Sequence, residues 1–205
     1  MVILRTLLAS LLLLAIGGFA LSAATDRLRA FTSESARRIE VRENPVAIPD
    51  VTLETASGAR IDLTDLRGKW LLVDFIYTRC QTYCSALGGE FAQLQDRLSV
   101  PLAQGRLQLL SISFDPVHDT PEQLTAYLQR FRTRGPGWLA ARPVAAQGLR
   151  RLEQSFGIIV VPDEMDGYTH NAAIHLVNPQ GRLVDIMDMG TPDQVAWNVL
   201  QRLAL

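Results

Sequence analysis

The stretch Trp70-Leu-Leu-Val-Asp-Phe-Ile-Tyr77 runs almost without interruption through apolar side chains and stops at Thr78-Arg79. A strand with one face in water alternates apolar and polar residues. A near-continuous run suits a strand covered on both faces, and that requires layers packed above and below it. Just beyond the run stand Cys80 and Cys84, with Gln81-Thr82-Tyr83 between them. The spacing of Leu87, Phe91, Leu94 and Leu98 then predicts a helix over residues 84–98. A buried strand that passes through a two-cysteine turn into a helix confines the chain to a layered α/β domain.

The remaining segments agree. Residues 51–54 and 60–63, split by Ala56-Ser57-Gly58, predict a hairpin. Residues 107–114 predict a second buried strand. Asp119-Thr120-Pro121-Glu122 is a strong helix start, a cap candidate followed by proline in the first turn, for a helix reaching about Arg132. Residues 147–156 predict another helix, closed by Gly157. Residues 172–178 and 182–187 predict a hairpin about Pro179-Gln180-Gly181, and residues 192–203 a final helix. Strands alternating with helices, followed by a hairpin and a helix, imply an α/β domain with a mixed sheet.

The N-terminus is of another kind. Residues 6–24 carry no charge and are rich in leucine. The run is just long enough to cross a bilayer, which takes roughly 20 residues. It reads as a membrane anchor, or as a signal segment cut after Ala24, over residues 1–24. Either outcome sends the rest of the chain across the membrane, to an extracytoplasmic, periplasmic location. Arg5 favours an inside N-terminus, while Arg27 and Arg29 oppose it. Residues 25–47, polar and mixed in charge, read as a linker, and the folded domain as 48–205. The formal net charge of -1 gives no electrostatic case for a nucleic-acid partner.

The chain has 2 cysteines and 3 histidines. Thiols at a helix N-terminus feel the positive end of the helix dipole, which favours the thiolate, the form that ligates metal and attacks disulfides. At this spacing the two α-carbons of a helix lie about 6 Å apart, so the pair can close as a disulfide or chelate one ion. As a staple it is weak: a closed loop of five residues removes only about 2 kcal/mol of unfolded-state entropy. His170, in the polar stretch Gly167-Tyr168-Thr169-His170 entering a strand, is the favoured third ligand. His175 lies five residues on. If one strand ran through both, they would face opposite sides of it, and His175 reads as a core or edge histidine. His118 reads as a solvated loop residue, at most a secondary or transient ligand. Iron–sulfur clusters usually need four cysteines, and a structural zinc site a fourth protein ligand. Two thiolates and one imidazole fit copper.

The stretches LTDLRGKWLLVDFIYTRCQTYC, SISFDPVHDTPEQL and YTHNAAIHLVNPQGRLV, in that order, resemble the Sco (SenC) family. The resemblance covers roughly residues 48–203 and implies a thioredoxin-like fold with a mixed central sheet flanked by helices. It implies a copper chaperone for cytochrome c oxidase assembly, with Cys80, Cys84 and His170 as the metal ligands and the two cysteines also forming a redox-active disulfide. The recipient it implies is the oxidase subunit bearing the dinuclear copper centre, with other copper carriers as further partners. The segment Asp115-Pro116 and Asp119-Thr120-Pro121 matches the family's DPxxDTP loop beside the site. The chain departs from the pattern at Gln81, where proline is common, at Thr169, where aspartate is common, and at His118, which takes the basic position of that loop. The rival reading is a thiol–disulfide oxidoreductase that keeps the oxidase's copper-ligand cysteines reduced. Such enzymes favour a two-residue spacing and do not need His170. A peroxiredoxin-like peroxidase is a weaker third.

Overall fold

A computed structural model describes residues 2–79, 83–163 and 167–204, with only the backbone course described for 83–85. The chain forms two compact units, residues 1–44 and 45–205.

In the first unit, α1 (Val2–Ala24) is 23 residues long and exposed along its length. At 1.5 Å per residue it spans about 34 Å. It is long and apolar enough to cross a membrane, with a mean hydropathy of 2.2. The polar stretch read as a linker contains a second helix, α2 (Ser33–Glu43), capped by the Thr32 hydroxyl, which accepts from Ser35 N–H. It was missed because it carries no apolar stripe; its cap and its Glu34–Arg38 pair support it instead.

The second unit runs β1 (Val46–Ala47), β2 (Thr52–Thr55), β3 (Arg60–Asp62), β4 (Trp70–Ile76), α3 (Tyr83–Arg97), α4 (Ser99–Ala103), β5 (Leu107–Ser113), α5 (Pro121–Arg130), β6 (Trp138–Pro143), α6 (Ala146–Phe156), β7 (Val160–Pro162), β8 (Tyr168–His170), β9 (Ile174–Val177), β10 (Arg182–Met187) and α7 (Pro192–Leu203). The main sheet has the order β1-β10-β9-β4-β5-β6-β2-β3, and β7 pairs with β8 in a separate two-stranded ribbon. Strands β4, β5 and β6 are parallel, while β9 runs antiparallel to β4, so the sheet is mixed as expected.

Both faces of the sheet are covered, which is what the composition of β4 and β5 demands. On one face Leu72 and Ile76 pack with Leu87, Phe91 and Leu94 of α3, Leu124 and Tyr127 of α5, and Val195 and Val199 of α7. On the other, Phe75 meets Phe156 of α6 with ring centroids 5.2 Å apart. Gly157, at φ 62, ends α6 in the left-handed conformation that glycine adopts at least cost. The fold class matches the sequence reading, with β1, α4, β6 and the β7–β8 ribbon added to its elements.

Candidate functional site

In an open sheet, binding residues gather beyond the carboxyl ends of the parallel strands. Here those ends are Ile76 of β4 and Ser113 of β5, which lie side by side. From β4 the chain continues through Tyr77, Thr78 and Arg79 to Cys80; from β5 it continues through Phe114 into the loop 115–120. Phe114 N–H donates to the Ile76 carbonyl at 3.0 Å, so the two exits start in register.

The two exits are then joined by side chains. Asp119 is fully buried, at 0% exposure. Its carboxylate accepts the Thr78 N–H on both oxygens at 3.1 Å, the Thr78 hydroxyl at 2.6 Å and the Ser113 hydroxyl at 2.5 Å. Burial pushes its pKa up from the ordinary carboxylate range, and the bonds from Ser113 and Thr78 pull it back. Ser113 Oγ in turn accepts from Asp115 N–H at 3.0 Å. Asp115, also buried, takes the Arg79 guanidinium on one oxygen at 3.0 Å and faces His118 Nδ1 across 2.8 Å with the other. Arg79 Nη2 lies 3.3 Å from His118 Nδ1.

His170 arrives on the β7–β8 ribbon, opposite Val160. The ribbon is stapled at its base by Asn171, which accepts from Ile159 N–H at 2.7 Å and donates to the Gly157 carbonyl at 2.9 Å. It is tied to the β4 exit by Tyr77, whose hydroxyl accepts from Tyr168 N–H at 3.3 Å and donates to the Tyr168 carbonyl at 3.4 Å. The rings of Tyr77, Phe114 and Tyr168 meet pairwise at 5.2 to 5.6 Å, and the His170 imidazole packs on Phe114 at 4.9 Å. Burial lowers the His170 pKa, so at neutral pH the imidazole is uncharged, the form that ligates metal.

Of the residues singled out in the sequence, Cys80 lies outside the described residues, and so does the side chain of Cys84, whose backbone forms part of the first turn of α3. His170 stands at the edge just described. His175 does not: it sits in β9, 1% exposed, against both Phe75 at 5.7 Å and Phe156 at 5.5 Å. His118 is half-exposed but not merely solvated, being tied to Asp115. Among the described residues no cluster of three or more His, Cys, Asp and Glu side chains is arranged to hold a metal ion. Sequence reasoning missed Thr78 and Tyr77, whose partners are remote in the chain, and Ser113, whose partners Asp115 and Asp119 lie in the loop just after it.

The fold defines the class: a thioredoxin-like domain in which the CxxxC sequence stands between a central strand and a helix. It superposes on yeast Sco1 solved with copper bound at a TM-score of 0.65, with 21% identity over 78% of this chain and 90% of the other. It superposes on BsSco, described as carrying a disulfide switch and as a member of the Sco family of cytochrome c oxidase assembly proteins, at 0.68, with 23% identity over 79% and 96%. A relative from Stutzerimonas stutzeri, whose name ascribes copper binding to it, is 32% identical over 89% of this chain and 88% of its own. The SCO1/SenC family model matches residues 40–205, and the chain belongs to that family.

Proposed function

We propose that the chain is a membrane-tethered copper metallochaperone. It holds one copper ion through the Cys80 and Cys84 thiolates and the neutral His170 imidazole, and delivers it to the dinuclear copper centre of cytochrome c oxidase. The observation that carries the reading is His170: a half-buried imidazole, its pKa lowered by burial, on a ribbon that Tyr77 ties to the strand exit leading to Cys80. Soft thiolates with one imidazole suit Cu(I), and an incomplete ligand shell lets an acceptor's thiolates enter and take the ion. Family membership and the copper-bound yeast relative support the same cargo. Helix α1 is the anchor in this reading, with the domain on the periplasmic side. Membranes extracted with alkaline carbonate retain the protein if α1 holds it there; a soluble product beginning near Thr25 replaces the anchor with a cleaved signal segment.

The test is metal analysis of the detergent-solubilised full chain with its thiols reduced, titrated with Cu(I). One tightly held ion per chain is expected, and its absence overturns the reading. The disulfide switch described for BsSco favours a second activity on the same residues. In it the reduced Cys80–Cys84 pair attacks an acceptor disulfide, becomes a disulfide itself, and leaves the acceptor's two thiols free to bind copper. Atoms and electrons balance without another reagent.

A further inference from the structure

Two of the proposed ligands have scaffolds of their own. Cys84 belongs to α3, whose course is fixed by Leu87, Phe91 and Leu94 in the core. His170 belongs to a ribbon with its own ladder. Cys80 lies outside the described residues. Strand β4 ends at Ile76 and α3 begins at Tyr83. Between them Thr78 is bonded through both its backbone and its side chain to one carboxylate. Asp119 accepts three hydrogen bonds from Thr78, one to each oxygen from the N–H and one from the hydroxyl. Thr78 stands two residues ahead of Cys80.

A buried carboxylate is costly unless it is fully hydrogen-bonded, and closing the turn 115–120 does not require one. The backbone closes that turn by itself, with His118 and Asp119 N–H both donating to the Asp115 carbonyl at 3.1 and 3.0 Å. The side chain of Asp119 is spent on Thr78 and Ser113 instead. Resting on the function proposed above, we propose that Asp119 is a positioning residue for the copper site, which acts through Thr78 to set where Cys80 stands relative to Cys84 and His170. In doing so it governs how long the ion is kept and how readily the two thiols close.

The experiment uses the full chain in detergent and three variants: Thr78→Val, which keeps the side-chain shape and the N–H but loses the hydroxyl; Thr78→Ser, which keeps both donors; and Asp119→Asn, which keeps size but offers one acceptor oxygen. Three quantities are read beside thermal melting: the rate of Cu(I) release to a chelator, the position of the Cu(II)–thiolate charge-transfer band, and the midpoint potential of the thiol pair. Thr78→Val is expected to release copper about tenfold faster, with a displaced band and potential, while melting within about 5 °C of wild type; Thr78→Ser is expected to restore all three. A folded Thr78→Val with wild-type release, band and potential overturns the proposal and leaves the chaperone reading standing. If wild type holds no copper but the potential still moves in Thr78→Val, the chaperone reading falls and the positioning of Cys80 survives. Should Thr78→Val melt early, Asp119→Asn carries the comparison, and wild-type values in that folded variant overturn the proposal equally.

Discussion

His170 and His175 lie five residues apart and share almost nothing physically. His175 is locked in β9, opposite Val73 of β4 and Ile186 of β10, and packed edge-on against the touching rings of Phe75 and Phe156. His170 ends a three-residue strand in a ribbon outside the main sheet, with its ring packed on Phe114 and incompletely covered. The expectation that the two face opposite sides supposed one strand through both, and here they belong to two strands. The chain breaks between β8 and β9, and Ala172 N–H donates to the His170 carbonyl to turn it. A ligand that must surrender its ion needs a position that is desolvated enough to stay neutral and open enough for an acceptor to enter. A core position meets only the first condition.

The sharpest break of this comparison is in copper binding. Cys80→Ser or Cys84→Ser is expected to abolish tight binding, and stoichiometric copper in the double variant would move the site elsewhere. His170→Ala removes one of three ligands, so copper transfer to an acceptor with vacant thiolate sites should fall at least about a hundredfold, or about 2.8 kcal/mol. Reduction of a disulfide-bonded acceptor needs only the two thiols and should stay within about tenfold, about 1.4 kcal/mol of barrier. The reverse pattern would make the chain chiefly an oxidoreductase.

His175→Ala should do the opposite. It leaves a cavity beside Phe75 and Phe156 and should cost about 2–4 kcal/mol of stability, as large-to-small core changes do. Read by denaturant unfolding, that loss is expected with one copper ion per folded chain retained. A folded His175→Ala chain without copper would overturn the assignment of His170 in favour of His175.

The sequence made some of this legible and not the rest. Strands β4 and β5 and helices α3, α5, α6 and α7 announce themselves because a two-sided core demands unbroken apolar runs and regular leucine spacing. Strand β6 does not, because Arg142 and Pro143 interrupt its pattern. Arg142 is there for its partner across the sheet, Glu54 on β2, at 2.6 Å. The β7–β8 ribbon has strands too short for a period to show. The candidate ligands stood out by residue type and by resemblance. The bond between Thr78 and Asp119 joins residues 41 positions apart, and no local pattern records it.

A smaller effect sharpens the contrast between buried polar groups on the two faces of β4. Asp74 lies on the α3 face, fully buried, with its pKa pushed up to about 8, chiefly by burial; Ser111 opposes this and the charge of Glu90 adds to it. From the unfolded carboxylate value up to about 8, the folded state holds a proton that the unfolded state has lost. Stability therefore falls as pH rises through that window, by at most about 1.4 kcal/mol per pH unit from this group. Asp74→Asn removes the slope. It should be the more stable chain at pH 8, with the advantage shrinking toward pH 4. Parallel stability curves for the two chains over that range would show that Asp74 does not carry the proton.

The smallest effect belongs to the third histidine. His118 sits one loop away from His170, and its ring nitrogen lies 2.8 Å from a buried carboxylate, an arrangement that resembles an oriented metal ligand. Its neighbourhood argues otherwise. Arg79 Nη2 is 3.3 Å from the same nitrogen and holds the other oxygen of Asp115, so the carboxylate is already paired and the local charge repels a cation. The His118 side chain is 49% exposed, and partly solvated contacts of this kind are worth about 0–1 kcal/mol. His118→Ala should keep one copper per chain, change copper release less than about threefold, and cost less than about 1 kcal/mol, a loss that shrinks further at high salt. Asp115→Ala should cost more, because it strips the guanidinium of Arg79 of its buried partner. A large drop in copper retention for His118→Ala, with the fold intact, would make it a ligand during entry or release and would bring it closer in kind to His170 than to His175.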